Sequence, residues 1–240
     1  MDKSTQQEKG KGPNKIFSFL ENFRKSLIRT GMVILVFSFV GYFFADPIMK
    51  YLYEISRIQL AAYTLPETFI SMITICLAFG LVVSMPYIFY TILWALPTLF
   101  ESFSKKAALV FLVSSVGLFY SGALFCLKIT LPYGVKFLLG FQTTEVQAII
   151  SVKKYVSFCL FFIFGFGIIF LLPLAMILMG RIGIIRLETL TRYRRYAVLI
   201  ITIVSAILTP TPDVLNLALM AVPLYLLFET GIIGMRIWKK

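Results

Sequence analysis

The sequence predicts an all-α membrane protein with six transmembrane helices, both termini in the cytoplasm and a short last pair of helices. Three observations carry that prediction. Of 240 residues, 59% are hydrophobic, and the mean hydropathy is +0.90, far above an ordinary soluble domain. Charge-free runs are long enough to cross about 30 Å of hydrocarbon. Basic residues segregate as well. Seventeen of the 23 lysines and arginines fall in the N-terminal segment to Thr30, loops 101–106 and 181–195, and the C-terminal tail. The basic side of a multispanning protein faces the cytoplasm.

Residues 1–13 are polar and are expected to form a disordered cytoplasmic tail. In 14–30, NKIFSFLENFRKSLIRT, the apolar residues Ile16, Phe19, Leu20, Phe23 and Leu27 recur every three or four positions. That spacing predicts an amphipathic helix lying at the interface and running into the first span. Taken alone, the same segment with its positive charges reads first as a topogenic anchor. The first span is expected over 28–45 and is ended by Asp46 and Pro47, and a short surface helix could follow within 46–67.

Residues 68–100 carry no charge, and Pro86 is expected to kink the span they form. The third span is expected over 107–127 and is followed by a long loop, 128–154. The fourth covers 155–180, with Gly165, Gly167 and Pro173 inside it, and glycines there permit close helix approach. The last two, 196–212 and from 214 to about 235, are separated by a turn around Thr209-Pro210-Thr211-Pro212-Asp213. Seventeen residues rise only about 25 Å, so this hairpin is expected to underfill the bilayer. Residues 14–236 thus form one six-helix membrane domain, and 237–240 a cytoplasmic tail.

Composition narrows the chemistry. The net charge of +12 reads as arginines and lysines held near anionic lipid; no basic stretch is long enough for a soluble groove, so no nucleic-acid partner is expected. With no histidine, neither imidazole acid–base catalysis nor imidazole metal ligation is available. Cys76, Cys126 and Cys159 sit singly in apolar runs and read as small buried hydrophobes. No catalytic constellation, metal site or cofactor site is expected. The one acid inside an apolar run is Glu229, which either snorkels or pairs with an arginine of loop 181–195 or the tail.

Several stretches resemble the TatC family, the multispanning receptors of the twin-arginine protein translocase, across about residues 16–236. ILTPTPDVLNLALMAVPLYLLFE at 207–229 is similar to that family's last hairpin, with its T-P-P-D turn. SMPYIFYTILWALPTLFES at 84–102 resembles its second span and first cytoplasmic loop. LKITLPYGVKFLLGF at 127–141, FGFGIIFLLPLAMIL at 164–178 and FLENFRKSL at 19–27 resemble three further family segments.

The resemblance implies a non-enzymatic role in moving folded proteins, driven by the proton-motive force. It implies a bacterial cytoplasmic membrane, with an organellar membrane as the alternative. The implied partners are twin-arginine signal peptides, single-span TatA- and TatB-like proteins, the lipid bilayer and further copies of the chain within a larger complex. Leu20, Glu21, Arg24, Pro97, Leu99 and Glu101 are the implied signal-peptide surface, where carboxylates would pair with the signal's arginines. Leu171, Pro173, Thr209, Pro210 and Asp213 are the implied partner-binding positions.

Departures from the family pattern are equally specific. Asn22, Phe103 and Leu171 stand where the family carries Glu, Pro210 where its turn carries Thr, and Leu217 where it carries Gln. Glu21 is one position from Asn22, which turns it by roughly 100° on a helix. Two alternatives therefore stand beside the receptor reading: a paralogue that scaffolds membrane-protein assembly without reading arginines, and a small-solute transporter. The second is disfavoured by the absence of an internal repeat and of charge within the spans.

Overall fold

A computed structural model describes residues 13–56, 60–95, 105–140, 150–208 and 214–238. Nine helices and two short strands follow one another there: α1 (Pro13–Ser56), β1 (Leu60–Ala61), α2 (Leu65–Ala95), α3 (Lys105–Phe125), α4 (Leu131–Leu139), β2 (Ile150–Ser151), α5 (Val152–Ile169), α6 (Leu172–Arg181), α7 (Leu187–Arg192), α8 (Arg194–Leu208) and α9 (Val214–Trp238). Five helical stretches are long and apolar enough to cross a membrane, 24–55, 66–93, 106–136, 152–181 and 220–237. The sixth span is α8. Its 15 residues rise about 22 Å, and the 18-residue apolar part of α9 rises about 27 Å. Both are shorter than the first four, which run to 28 residues or more.

Two sequence expectations are corrected. Pro47 does not end the first span: α1 continues through it to Ser56, so no separate surface helix forms at 48–56. Beyond Pro47, Met49 and Leu52 are buried against other helices, and that packing outweighs the one backbone bond a proline removes. Nor does the third span end at 127. A π turn, Cys126–Thr130, joins α3 to α4 as one helical run. In that turn the Leu131 N–H donates to the Cys126 carbonyl, a wider bond than the α-helical one. The wide turn lies directly before Pro132, which has no N–H to offer. The residues from 128 to 139 are therefore helix, and no loop begins before Leu139.

Span four is broken where Pro173 lies. The α-helical pattern stops at Ile169, the Leu171 N–H bonds to Ile168, and α6 restarts at Leu172. Pro86, by contrast, lies within an unbroken α2. Helix α8 is described to Leu208, and Pro210 and Pro212, expected to end span five, lie outside the described residues.

Helices α1 and α2 run antiparallel in close contact. A methyl built on Gly80 would lie 2.6 Å from the Ser38 nitrogen and 2.7 Å from the Ile34 carbonyl oxygen; Gly41 faces Phe79 and Cys76 in the same way. Helix α3 crosses α5 through a second pair of glycines, Gly122 under the Phe166 carbonyl and Gly167 under the Phe119 ring. Gly167 is thus the close-approach residue expected of span four, whereas Gly165 faces open space. The core falls into separate clusters. One, around Leu52, Cys126, Leu131, Tyr155 and Phe166, joins α1, the π turn, α4 and α5. Another, around Met176, Ile201, Phe228 and Ile232, joins α6, α8 and α9.

Candidate functional site

The antiparallel register of α1 and α2 sets the cytoplasmic surface. Ala45 and Met49 pack with Ile75, Gly41 with Phe79, and Ser38 with Gly80. Continuing that register toward the N-terminus brings Arg24 level with the end of α2. As successive spans, α2 and α3 run in opposite directions, and they touch: the Tyr120 hydroxyl donates to the Val82 carbonyl at 3.0 Å, and Phe89 meets the Phe119 ring edge-on at 6.1 Å. The ends of α2 and α3 therefore converge beside the N-terminal part of α1. Arg24 is exposed there. Leu20 and Glu21 lie on α1, but their side chains are outside the described residues, as are Pro97, Leu99 and Glu101 entirely.

At the break in span four, Leu171 is half-buried and Pro173 is buried. Pro173 packs on α9, where a methyl built on Gly231 would lie 3.1 Å from its α-carbon. The bend in span four is therefore fitted to a glycine of span six. Thr209, Pro210 and Asp213 lie outside the described residues.

The cytoplasmic end of α9 holds the intramembrane acid. Glu229 Oε2 lies 3.2 Å from Arg194 Nη2, and its Oε1 accepts from the Tyr225 hydroxyl at 2.9 Å. Of the two partners open from sequence, an arginine of loop 181–195 is the one taken, because α8 begins at Arg194 beside α9. Near one membrane face, such a pair ties α8 to α9 while Arg194 stays partly hydrated.

A polar site on the opposite side was not singled out from sequence. Glu67 lies in the first turn of α2 and is 6% exposed. Its carboxylate accepts from the Tyr63 N–H at 2.8 Å, from the Lys153 N–H at 3.3 Å, and from the Ser151 hydroxyl. Ser151 is the N-cap of α5 and accepts in turn from the Lys154 N–H. One carboxylate thus serves the N-termini of two helices, where unpaired N–H groups and the helix dipole favour negative charge. Beside it β1 and β2 pair in parallel, Leu60 with Ile150 and Ala61 with Ser151. The sequence carries part of this signal: Thr64-Leu65-Pro66-Glu67 fits the T-x-x-E capping pattern. The partner across the fold has no such mark.

Between α1, α2, α3 and α5 lies an apolar groove of about 610 Å³, bordered by Phe44, Pro47, Tyr51, Phe79, Tyr120 and Leu124. No group of His, Cys, Asp and Glu able to hold a metal ion occurs among the described residues.

The comparisons with known proteins agree with this geometry. The family described as "Sec-independent protein translocase protein (TatC)" matches residues 18–223. The TatC of Carboxydothermus hydrogenoformans is 30% identical over 92% of this chain and 92% of its own. That of Aquifex aeolicus is 34% identical over 89% of this chain and 91% of its own. That of Desulforapulum autotrophicum is 36% identical over 73% of this chain and 65% of its own. A crystal structure of the twin arginine translocase receptor TatC superposes with a TM-score of 0.75 at 31% identity, covering 92% of this chain and 100% of that one. With the paired short spans, the proline break and six membrane crossings already in place, this multispanning membrane protein belongs to the TatC family of Sec-independent protein translocase proteins.

Proposed function

We propose that this chain is the receptor and core subunit of a twin-arginine translocase. It binds signal peptides of folded proteins at the cytoplasmic face and recruits single-span TatA- and TatB-like partners for transport driven by the proton-motive force. The observation that carries this reading is the likeness to a solved twin-arginine translocase receptor along that chain's entire length. The signal-binding surface is assigned to Leu20, Glu21 and Arg24 of α1 together with Pro97, Leu99 and Glu101 between α2 and α3. The converging ends of α1, α2 and α3 support it. Glu101, and secondarily Glu21, supply carboxylates for the guanidinium groups of the signal, a pairing whose fork geometry gives direction as well as charge. Partner contacts are assigned to the neighbourhood of Leu171 and Pro173 and to the hairpin bearing Thr209, Pro210 and Asp213. The chain's part is binding and assembly rather than catalysis.

The test is export of a folded reporter behind a twin-arginine signal, in cells lacking their own receptor and supplied with this chain and its single-span partners. Export that depends on the signal's two arginines is the expected result. A specific observation favours a second reading: Asn22, Phe103 and Leu171 replace three acids of the family pattern. A scaffold for membrane-protein assembly would leave the reporter in the cytoplasm while still co-purifying with single-span proteins.

A further inference from the structure

Away from the surfaces above, a cavity of about 580 Å³ opens where α6 ends and α7 begins. Its walls divide by polarity. Arg181, Arg186 and Glu188 line one part; Ile177, Ile185, Leu187 and Met235 line another. The backbone closes the end of α6 with its own bonds. Gly183, at φ +81°, turns the chain, and the N–H groups of residues 182–185 bond to the carbonyls of Leu178, Met179 and Gly180. Those carbonyls, which would otherwise repel an anion, are thereby occupied. Two guanidinium groups face one carboxylate, so the cavity carries one positive charge in excess.

Its surroundings are those of the membrane surface. Ile182 and Ile184, in the turn between the two arginines, are 49% and 69% exposed. Apolar side chains so placed belong in the acyl region, with the arginines at headgroup height. Further along the same loop, Arg194 pairs with Glu229, and Arg195 lies over the Tyr196 ring at 5.1 Å.

We propose that this cavity is a binding site for the headgroup of an anionic glycerophospholipid of the cytoplasmic leaflet. Arg181 and Arg186 take the phosphate, and the Ile177–Ile185–Leu187–Met235 wall takes the glycerol and the first acyl carbons. A volume of this size accommodates a headgroup, and a cavity half basic and half apolar matches a phospholipid better than a free anion. Basic cavities between helices on this side of a membrane are suited to such lipids. The occupied site would join the ends of α6 and α9 to the leaflet.

Native mass spectrometry of the full chain in detergent, titrated with phosphatidylglycerol and with phosphatidylcholine, tests this. Retention of phosphatidylglycerol over phosphatidylcholine is expected. Arg186→Gln should weaken retention about fivefold, and Arg181→Gln with Arg186→Gln about 25-fold. Arg186→Lys should keep most of the binding, which separates loss of charge from loss of fold. Arg29→Gln, the same charge change elsewhere on the cytoplasmic end, should leave binding unchanged. Equal retention of the two lipids would overturn the proposal, as would a loss in Arg29→Gln equal to that in Arg186→Gln. Release of the bound lipid by millimolar inorganic phosphate would reassign the cavity to free phosphate and overturn the lipid.

Discussion

Glu67 and Ser151, 84 residues apart in sequence, are joined by a hydrogen bond between a carboxylate and a hydroxyl. The bond closes the side of the molecule opposite the basic loops. Because the same carboxylate also accepts from two backbone N–H groups, its loss strands donors of two helices. Glu67→Ala is expected to lower the melting temperature in detergent by several degrees. Glu67→Gln should lower it less, since the amide oxygen still accepts while its NH2 meets donors. Ser151→Ala removes one donor and a cap, and the double variant Glu67→Ala with Ser151→Ala should fall short of the sum of the single losses. Full additivity would show that the two do not act together.

Gly80 sets how closely α1 approaches α2. Its neighbours there are the Ser38 hydroxyl and backbone atoms of Ser38 and Ile34, and the backbone atoms cannot swing aside as a side chain tip can. Gly80→Ala should destabilise the protein by about 1–3 kcal/mol, read from thermal unfolding or protease resistance in detergent. Gly117→Ala is the control: nothing lies within 4 Å of its added methyl. That change should be within about 0.5 kcal/mol of neutral.

The Arg194–Glu229 pair joins the short helix α8 to α9. Arg194 is 45% exposed, so solvent screens the attraction. A double-mutant cycle of Arg194→Ala and Glu229→Ala is expected to give a coupling of about 1 kcal/mol or less. Tyr225→Phe should reduce stability further only while Glu229 is present, because the hydroxyl's partner is that carboxylate. An equal effect of Tyr225→Phe in the Glu229→Ala background would remove this account.

The described part of α8 rises about 22 Å, less than an unperturbed bilayer core of about 30 Å. Single-cysteine scanning with a water-soluble thiol reagent should find a protected stretch in α8 no longer than the helix's 15 residues, narrower than that in the run of α3, the π turn and α4. Lipid then thins locally around the last hairpin. A protected stretch as wide as that of the third span would show that the bilayer is not thinned.

The two carboxylates assigned to the signal surface differ in their place in the chain. Site-specific crosslinking of a twin-arginine signal peptide should fall most in Glu101→Ala and less in Glu21→Ala. Glu101 falls in the sequence between α2 and α3, whereas Glu21 lies on α1, one helical position from where the family acid falls. Undiminished crosslinking in both variants would withdraw the two carboxylates from the signal surface.

By itself the sequence determined the quantities that are sums over contiguous residues. Hydropathy runs gave six spans, the segregation of arginine and lysine gave their orientation, and short motifs at 84–102 and 207–229 gave the family. Proline positions do not by themselves mark helix ends. They misled at Pro47, where burial of Met49 and Leu52 carries α1 onward, and beyond 127, where a π turn before Pro132 prolongs the third span. Only the tertiary structure decided which groups meet across long separations. It selected Arg194 for Glu229 among eight basic residues of loop 181–195 and the C-terminal tail, Gly167 rather than Gly165 as the contact of span four, and Ser151 for Glu67. The physical reason is common to all three. Periodicity and composition report how a segment partitions between water, interface and hydrocarbon, while a hydrogen bond or a close helix crossing depends on the relative placement of two segments that the local pattern does not encode.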